Sequence, residues 1–181
     1  MSEIVIAPNQ VLAKKAKQVG KINKNILKII EEMKQALLSA SDPVGVGLAA
    51  PQIGKSLQIF ITKPTSESKI KVFINPKINQ LEKSNSKKET RKKYTKLEGC
   101  LSLPAIWGEV KRSPVLTLEY LDERGKKRTN VFRGFMATII QHEVDHLNGT
   151  LFPKRVLEQE GVLYKSGKNK EGKEVFEEIQ I

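Results

Sequence analysis

GFMATIIQHEVDHLNG, residues 134–149, is the stretch of this sequence that most strongly constrains the fold. Its apolar residues recur at spacings of three and four, and it ends in an Asn-Gly pair, so it predicts a helix with a defined end. Residues four apart lie on one face of a helix, so His142 and His146 can bind the same metal ion. Glu143 lies near such an ion without facing it, and its carboxylate could take a proton from water.

Two histidines hold a metal ion weakly, so this motif needs a third ligand from elsewhere in the chain. The sequence has only two histidines, both in the predicted helix, which excludes a third imidazole. Glu158, Glu160 and Glu171 follow the helix, but their segment is predicted as a loop and a hairpin rather than as a ligand-bearing helix. Cys100, the only cysteine, remains, and its thiolate is a strong ligand for zinc and ferrous iron.

The rest of the chain predicts a single α+β domain, with a mainly antiparallel β-sheet around the central metal-binding helix. INKNILKIIEEMKQALLSA, residues 22–40, has the apolar spacing of an amphipathic helix, with an asparagine as N-cap and Ser41-Asp42-Pro43 as the stop. The β-branched and aromatic runs LQIFITK, IKVFINP, PVLTLEYLD and RTNVF predict strands, the last two joined by a turn at residues 123–125.

Three further segments carry fewer signals of regular structure. GVGLAAPQIG, residues 45–54, is too rich in glycine for a helix interior and is predicted as a shaped loop. Within one domain spanning residues 1–181, we assign residues 82–96 to a basic inserted loop and residues 156–181 to a C-terminal extension that contains a hairpin.

The composition suits one soluble globular domain of 181 residues with a net charge of +12. Residues 83–96, KSNSKKETRKKYTK, contain seven basic residues and one acidic residue. The positive net charge favours polyanionic partners such as RNA. No RNA-binding motif accompanies it, so solvated surface is the preferred interpretation. Because the chain has neither an apolar run long enough to cross a bilayer nor a signal peptide, we expect a cytoplasmic protein without membrane or specific DNA partners.

Three stretches together resemble the peptide deformylase family: GVGLAAPQIG, EGCLS within LEGCLSLP (residues 97–104), and QHEVDHLNG (residues 141–149). In this order, with the single cysteine in the middle stretch, they are highly specific, and the resemblance spans residues 3 to 155. Members of this family hydrolyse the N-formyl group of the N-terminal formyl-methionine of nascent bacterial-type polypeptides and release formate. The resemblance therefore implies a metal-dependent hydrolase.

The resemblance also implies roles for individual residues. Cys100, His142 and His146 would bind one divalent metal ion, natively ferrous iron, with zinc, nickel or cobalt tolerated. Glu143 would act as the general base. The Gln52 side-chain amide and the Leu101 backbone N–H would stabilise the oxyanion, together with the metal ion.

Substrate-binding residues come partly from the resemblance and partly from helical spacing. Val46, Gly47 and Gly99 match the positions where the family binds the substrate's main chain. Phe135, Thr138 and Ile139 precede His142 on its helix face, so with Val46 they are candidates for the methionine pocket, although each could equally be ordinary core. Phe135 and Ile139 also share one helix face with His142 and His146, so the two histidines extend a predicted buried stripe.

The implied partners are N-formylmethionyl nascent peptides and, transiently, the ribosome, and we expect a monomer. Trp107 stands where several family members carry an arginine beside the substrate. One alternative is a zinc protease with a downstream glutamate ligand, for which Cys100 would be dispensable and internal peptide bonds would be cut. The other is a basic ribosome- or RNA-binding protein without catalysis, which would bind without turnover.

Overall fold

The computed structural model describes residues 3–41, 44–82, 97–169 and 171–180. The helices are α1 (Lys24–Ser39), α2 (Gly134–Leu147) and α3 (Phe152–Glu158), and two 3₁₀ helices cover Gln10–Ala13 and Ala50–Ile53. The strands are β1 (Gly47–Ala49), β2 (Ile59–Thr62), β3 (Lys71–Glu82), β4 (Leu97–Cys100), β5 (Leu103–Glu109), β6 (Val115–Leu121), β7 (Lys127–Arg133), β8 (Leu163–Lys168) and β9 (Glu174–Glu178). The basic residues 83–96 and most of the predicted stop after α1 lie outside the described residues.

The strands form two antiparallel sheets, which confirms the predicted α+β fold. One sheet has the order β1-β2-β3-β6-β7, and the other has the order β4-β5-β8-β9. Helix α2 packs against β1, β2, β6 and β7 of the first sheet. Its histidine side chains reach the end of β4 in the second sheet. The predicted central helix therefore connects the two sheets, and the predicted metal ligands lie at this connection.

Helix α1 forms where the periodicity predicted it. The Asn23 side chain caps it by accepting a hydrogen bond from the Ile26 backbone N–H at 3.0 Å. Its apolar face is buried against β1, β2 and the second 3₁₀ helix. The β6–β7 hairpin is also confirmed, and its turn contains Gly125 at φ 77°, a conformation that glycine adopts without steric cost.

Two local predictions were wrong. The glycine-rich segment 45–54 is not all loop, because Gly47–Ala49 forms a short buried strand at the sheet edge and a 3₁₀ helix follows it. The segment after α2 is not all loop and hairpin, because α3 covers Phe152–Glu158. A strand of three residues and a helix of two turns are too short to give a clear period, and the proline at 153 is compatible with the first turn of a helix.

The terminal segment contains an antiparallel pair, β8 and β9, within the residues where a hairpin was predicted. Its β8 strand pairs with β5, so the hairpin extends the four-stranded sheet. Residue 156, the predicted start of the extension, lies inside α3. No helix in the described part of the chain is long and apolar enough to span a bilayer.

Candidate metal centre and active site

The three predicted metal ligands converge from two elements. Cys100 is the last residue of β4, and His142 and His146 lie one turn apart on α2. The Cys100 Sγ atom lies 3.2 Å from His146 Nε2, and one donor atom from each of the three residues lies within 4.8 Å of the others. Cys100 is 5% exposed and His146 is 1% exposed.

The donor set fits a divalent ion. A thiolate and an imidazole bound to one tetrahedral zinc ion lie about 3.5 Å apart, close to the spacing of Cys100 and His146. The His142 Nδ1 atom is hydrogen-bonded to Glu98 Oε2 at 3.0 Å, which leaves Nε2 available as the ligating atom. Among the protein groups described, buried Glu143 Oε2 has no hydrogen-bond partner, as expected of an atom that faces a ligand or water.

Glu143 lies beside this donor set in a nearly closed environment. Its side chain is 3% exposed, and burial raises its pKa to about 7, although the charge of His142 acts in the opposite direction. Its carboxylate lies against the backbone of Gly47, where an added Cβ would collide with Glu143 and with the side chain of Ile139. The absence of a side chain at residue 47 is therefore what allows the carboxylate its position.

A buried ionic network supports the ligands, and the sequence did not predict it. Arg112 donates to Glu98 through Nε at 2.8 Å and Nη2 at 3.0 Å, and to Asp145 Oδ2 through Nη1 at 2.6 Å. Asp145 also accepts hydrogen bonds from Arg155. Burial acts to raise the pKa of Glu98, but the hydrogen bonds from His142 and Arg112 outweigh it and lower the pKa below its usual value. Glu98 therefore stays ionised and orients the His142 ring.

Two sequence signals could have identified parts of this network. Glu98 and Cys100 are two apart in a strand, so their side chains point to the same face. Asp145 directly precedes a ligand within the helical motif. Nothing in the sequence marks Arg112 as their common partner, because that pairing depends on how β4 and α2 meet.

Gln52, to which the family resemblance gives a role in oxyanion stabilisation, lies beside Cys100. Its side chain is 2% exposed, and its Oε1 atom accepts a hydrogen bond from the Ala49 N–H at 2.8 Å. This bond turns the Nε2 group toward Cys100 Sγ at 3.6 Å and Ser102 Oγ at 3.2 Å. Leu101, the residue after the cysteine, lies on the pocket wall.

A pocket of about 890 Å³ opens onto the centre. It is lined by all of the predicted substrate-binding residues: Val46, Gly47, Gly99, Phe135, Thr138 and Ile139. Phe135 is 45% exposed, so the predicted buried stripe on α2 does not extend to it. Phe135 lies in the first turn of α2, whereas Ile139 one turn later is 4% exposed.

Comparison with known proteins gives one consistent result. The family model for polypeptide deformylase matches residues 1–161. Peptide deformylase 1 of Bacillus cereus is 38% identical over 154 residues, which cover 85% of this chain and 91% of that protein.

Two solved structures are similar to this chain along most of their length. The peptide deformylase of Thermotoga maritima superposes with a TM-score of 0.73 at 36% identity, covering 86% of this chain and 97% of that one. The peptide deformylase of Synechococcus elongatus, solved in complex with actinonin, superposes with a TM-score of 0.71 at 36% identity, covering 84% and 76% of the two chains.

Proposed function

This chain belongs to the polypeptide deformylase family, and on that premise we propose that Cys100, His142 and His146 hold its metal ion and that Glu143 is its general base. The protein is a metal-dependent hydrolase that removes the N-formyl group from the N-terminal formyl-methionine of nascent polypeptides and releases formate. One observation carries the assignment of residues. Three donor atoms of the types that bind zinc or iron converge beside a buried carboxylate at the base of a pocket.

The metal ion and the protein side chains contribute different parts of the reaction. When bound, a divalent ion supplies Lewis-acid chemistry, because it lowers the pKa of an adjacent water molecule and polarises the formyl oxygen. Glu143 accepts the proton of the attacking water and then donates it to the departing amine nitrogen as the C–N bond breaks. The products are formate and a free N-terminus, and Glu143 returns to its starting state. The Gln52 amide and the Leu101 N–H donate hydrogen bonds to the oxyanion.

The pocket is suited to a formylated N-terminus. Val46, Gly47 and Gly99 flank the path of the substrate's main chain, which can pair with them as an added strand. Phe135, Thr138 and Ile139, together with Val46, provide the apolar surface for the methionine side chain. Because the formyl carbon carries only a hydrogen, a crowded site can admit it and exclude a continuing polypeptide.

We assign ferrous iron as the native ion, with zinc, nickel or cobalt as substitutes. One thiolate and two imidazoles form a donor set that suits each of these metals, so the ligands alone do not select among them. Ferrous protein is expected to lose activity in air faster than nickel-substituted protein. Equal loss from both forms would count against iron.

We further propose a cytoplasmic monomer that contacts the ribosome transiently and binds neither membranes nor specific DNA. The net charge of +12 supports an electrostatic attraction to ribosomal RNA. We treat residues 1–181 as one domain, with residues 82–96 as a basic insertion and residues 156–181 as a C-terminal extension. The family match ends at residue 161, inside the proposed C-terminal extension.

Formate release and protein digestion distinguish this function from the zinc-protease alternative. Glu158, the nearest downstream carboxylate considered as a ligand, is ion-paired with Arg155 at 2.9 Å, and the three-donor cluster of the described residues does not include it. We expect metal-loaded protein to release formate from formyl-Met-Ala-Ser and to leave casein intact. Casein cleavage without formate release would refute the proposal.

A further inference from the structure

Trp107, the only tryptophan of the chain, forms part of the pocket wall. It lies on β5 directly opposite Gly99 of β4. A Cβ added at Gly99 would meet three carbon atoms of the indole ring at 2.7 to 3.0 Å. The ring therefore occupies the space above Gly99 that a side chain would otherwise fill, next to the proposed path of the substrate's main chain.

Two residues of the terminal hairpin contact this ring. The Trp107 Nε1–H donates a hydrogen bond to Ser166 Oγ on β8 at 3.1 Å. Phe176 on β9 packs edge-on against the indole, with ring centroids 5.9 Å apart and an interplanar angle of 85°. Ser166 and Phe176 are paired directly across β8 and β9. Both contacts therefore come from one face of one hairpin.

The outer strand of the hairpin, β9, buries few of its own side chains. On β9 the side chains are exposed except for that of Val175, and Phe176 is 43% exposed. Among the residues described, the pocket is lined by Trp107 but not by Ser166 or Phe176. The hairpin residues thus contact the pocket wall from outside, and they lie beyond the part of the chain that matches the family model, which ends at residue 161.

We propose that Ser166 and Phe176 are positioning residues that hold Trp107 as an aromatic wall for the side chains that follow formyl-methionine. An indole face held at a fixed angle favours apolar or aromatic side chains, because it buries their surface without requiring a hydrogen-bond partner. The terminal hairpin thereby gives the enzyme a preference for apolar residues downstream of the formylated methionine. This inference rests on the proposed function.

Two peptides of equal length test the preference in nickel-loaded full-length protein: formyl-Met-Leu-Phe and formyl-Met-Gly-Gly. For Ser166→Ala and Phe176→Ala we expect the KM for formyl-Met-Leu-Phe to rise about two- to tenfold with kcat unchanged. The KM for formyl-Met-Gly-Gly should stay at the wild-type value. Ser166→Thr keeps the hydroxyl and Phe176→Tyr keeps the ring, so both should restore the wild-type KM.

The fluorescence of Trp107 provides a second readout, because the protein has no other tryptophan. Its emission should shift in Ser166→Ala and Phe176→Ala and stay unchanged in Glu177→Ala, a control on the same strand. If Phe176→Ala does not fold, Phe176→Leu removes the ring with a smaller loss of volume, and the same kinetic result is expected.

Two outcomes would overturn the inference. One is a shift in emission with an unchanged KM for formyl-Met-Leu-Phe, which would mean that the ring moves without consequence for the substrate. The other is an equal rise in KM for both peptides, which would indicate general loosening of the pocket. If the wild-type protein released formate from neither peptide, the proposed function would fail instead.

Discussion

Glu143, the proposed general base, is almost completely buried. In the folded, metal-free protein its pKa is raised to about 7 by burial, whereas an unfolded chain would give a glutamate its ordinary value near 4.5. The folded state therefore binds this proton more tightly than the unfolded state does. Below about pH 4.5 this proton contributes its full amount, about 3 kcal/mol, to the free energy of unfolding. The contribution is lost as the pH rises through about 7.

Glu143→Gln should remove this pH dependence, because an amide does not ionise. We expect the metal-free variant to be more stable than metal-free wild type by up to about 3 kcal/mol at pH 8, with a much smaller difference at pH 4.5. Urea unfolding at both pH values measures this directly, with Glu67→Gln as an exposed control. If the free energies of unfolding of wild type and Glu143→Gln differed by the same amount at both pH values, the raised pKa of Glu143 would be contradicted.

Cys100 should behave as a ligand and not as a packed thiol. Cys100→Ser changes the volume little but replaces a thiolate by a poor ligand for zinc or iron. We expect metal affinity to fall by about tenfold or more and activity to fall with it, while circular dichroism stays near that of wild type. Ala36→Ser, which also places a hydroxyl in a buried position, should keep its metal. Full metal content and activity in Cys100→Ser would reopen the protease alternative.

Secondary-structure elements differ in how far the sequence predicted them. Helix α1 and the β6–β7 hairpin were predicted because their periodicity and turn residues are local signals. Strand β1 and helix α3 were not, because each is too short to show a period and is fixed by packing. Motif spacing predicted that the two histidines share a face, and elimination together with the family resemblance added Cys100; the structure brings the three donor atoms together. The pairing of Arg112 with Glu98 and Asp145 depends on how β4 meets α2.

The contact between β4 and α2 through Glu98 should matter for both stability and metal binding. Glu98→Ala would leave Arg112, whose side chain is 8% exposed, without its bidentate partner and would release the His142 ring. We expect a destabilisation of about 3–5 kcal/mol. We also expect a 10- to 100-fold loss of metal affinity, at the order of magnitude known for such supporting residues.

The matched control is Glu123→Ala, which removes an ion pair with Lys34 in which the glutamate side chain is 44% exposed. Such a pair contributes about 1 kcal/mol or less, so this variant should unfold near the wild-type denaturant concentration and keep its metal. Equal stability of Glu98→Ala and Glu123→Ala would contradict the proposal that Glu98 supports Arg112 and His142. Wild-type metal affinity in Glu98→Ala would contradict it as well.

The whole molecule carries a net charge of +12. Of its 32 basic residues, seven fall within residues 83–96, a segment outside the described structure. Replacing these seven residues with serine and glutamine should weaken ribosome co-sedimentation and reduce its dependence on salt. Turnover of a short formylated peptide should remain unchanged.

Neutralising the six lysines among residues 14–28 provides a control of nearly equal charge. If the basic segment acts specifically, this control should weaken ribosome binding less than the changes at residues 83–96. Unchanged ribosome binding in the segment variant, or a collapse of its peptide turnover with the fold intact, would refute the proposed role.

The most direct test of the catalytic assignment is the rate of formate release from formyl-Met-Ala-Ser by Glu143→Ala loaded with metal. Glu143 lies beside the donor cluster without belonging to it, so the variant should keep its metal and its affinity for the peptide. Removal of the general base should lower turnover by about 10²- to 10⁴-fold. A metal-loaded Glu143→Ala protein that releases formate at the wild-type rate would contradict the account.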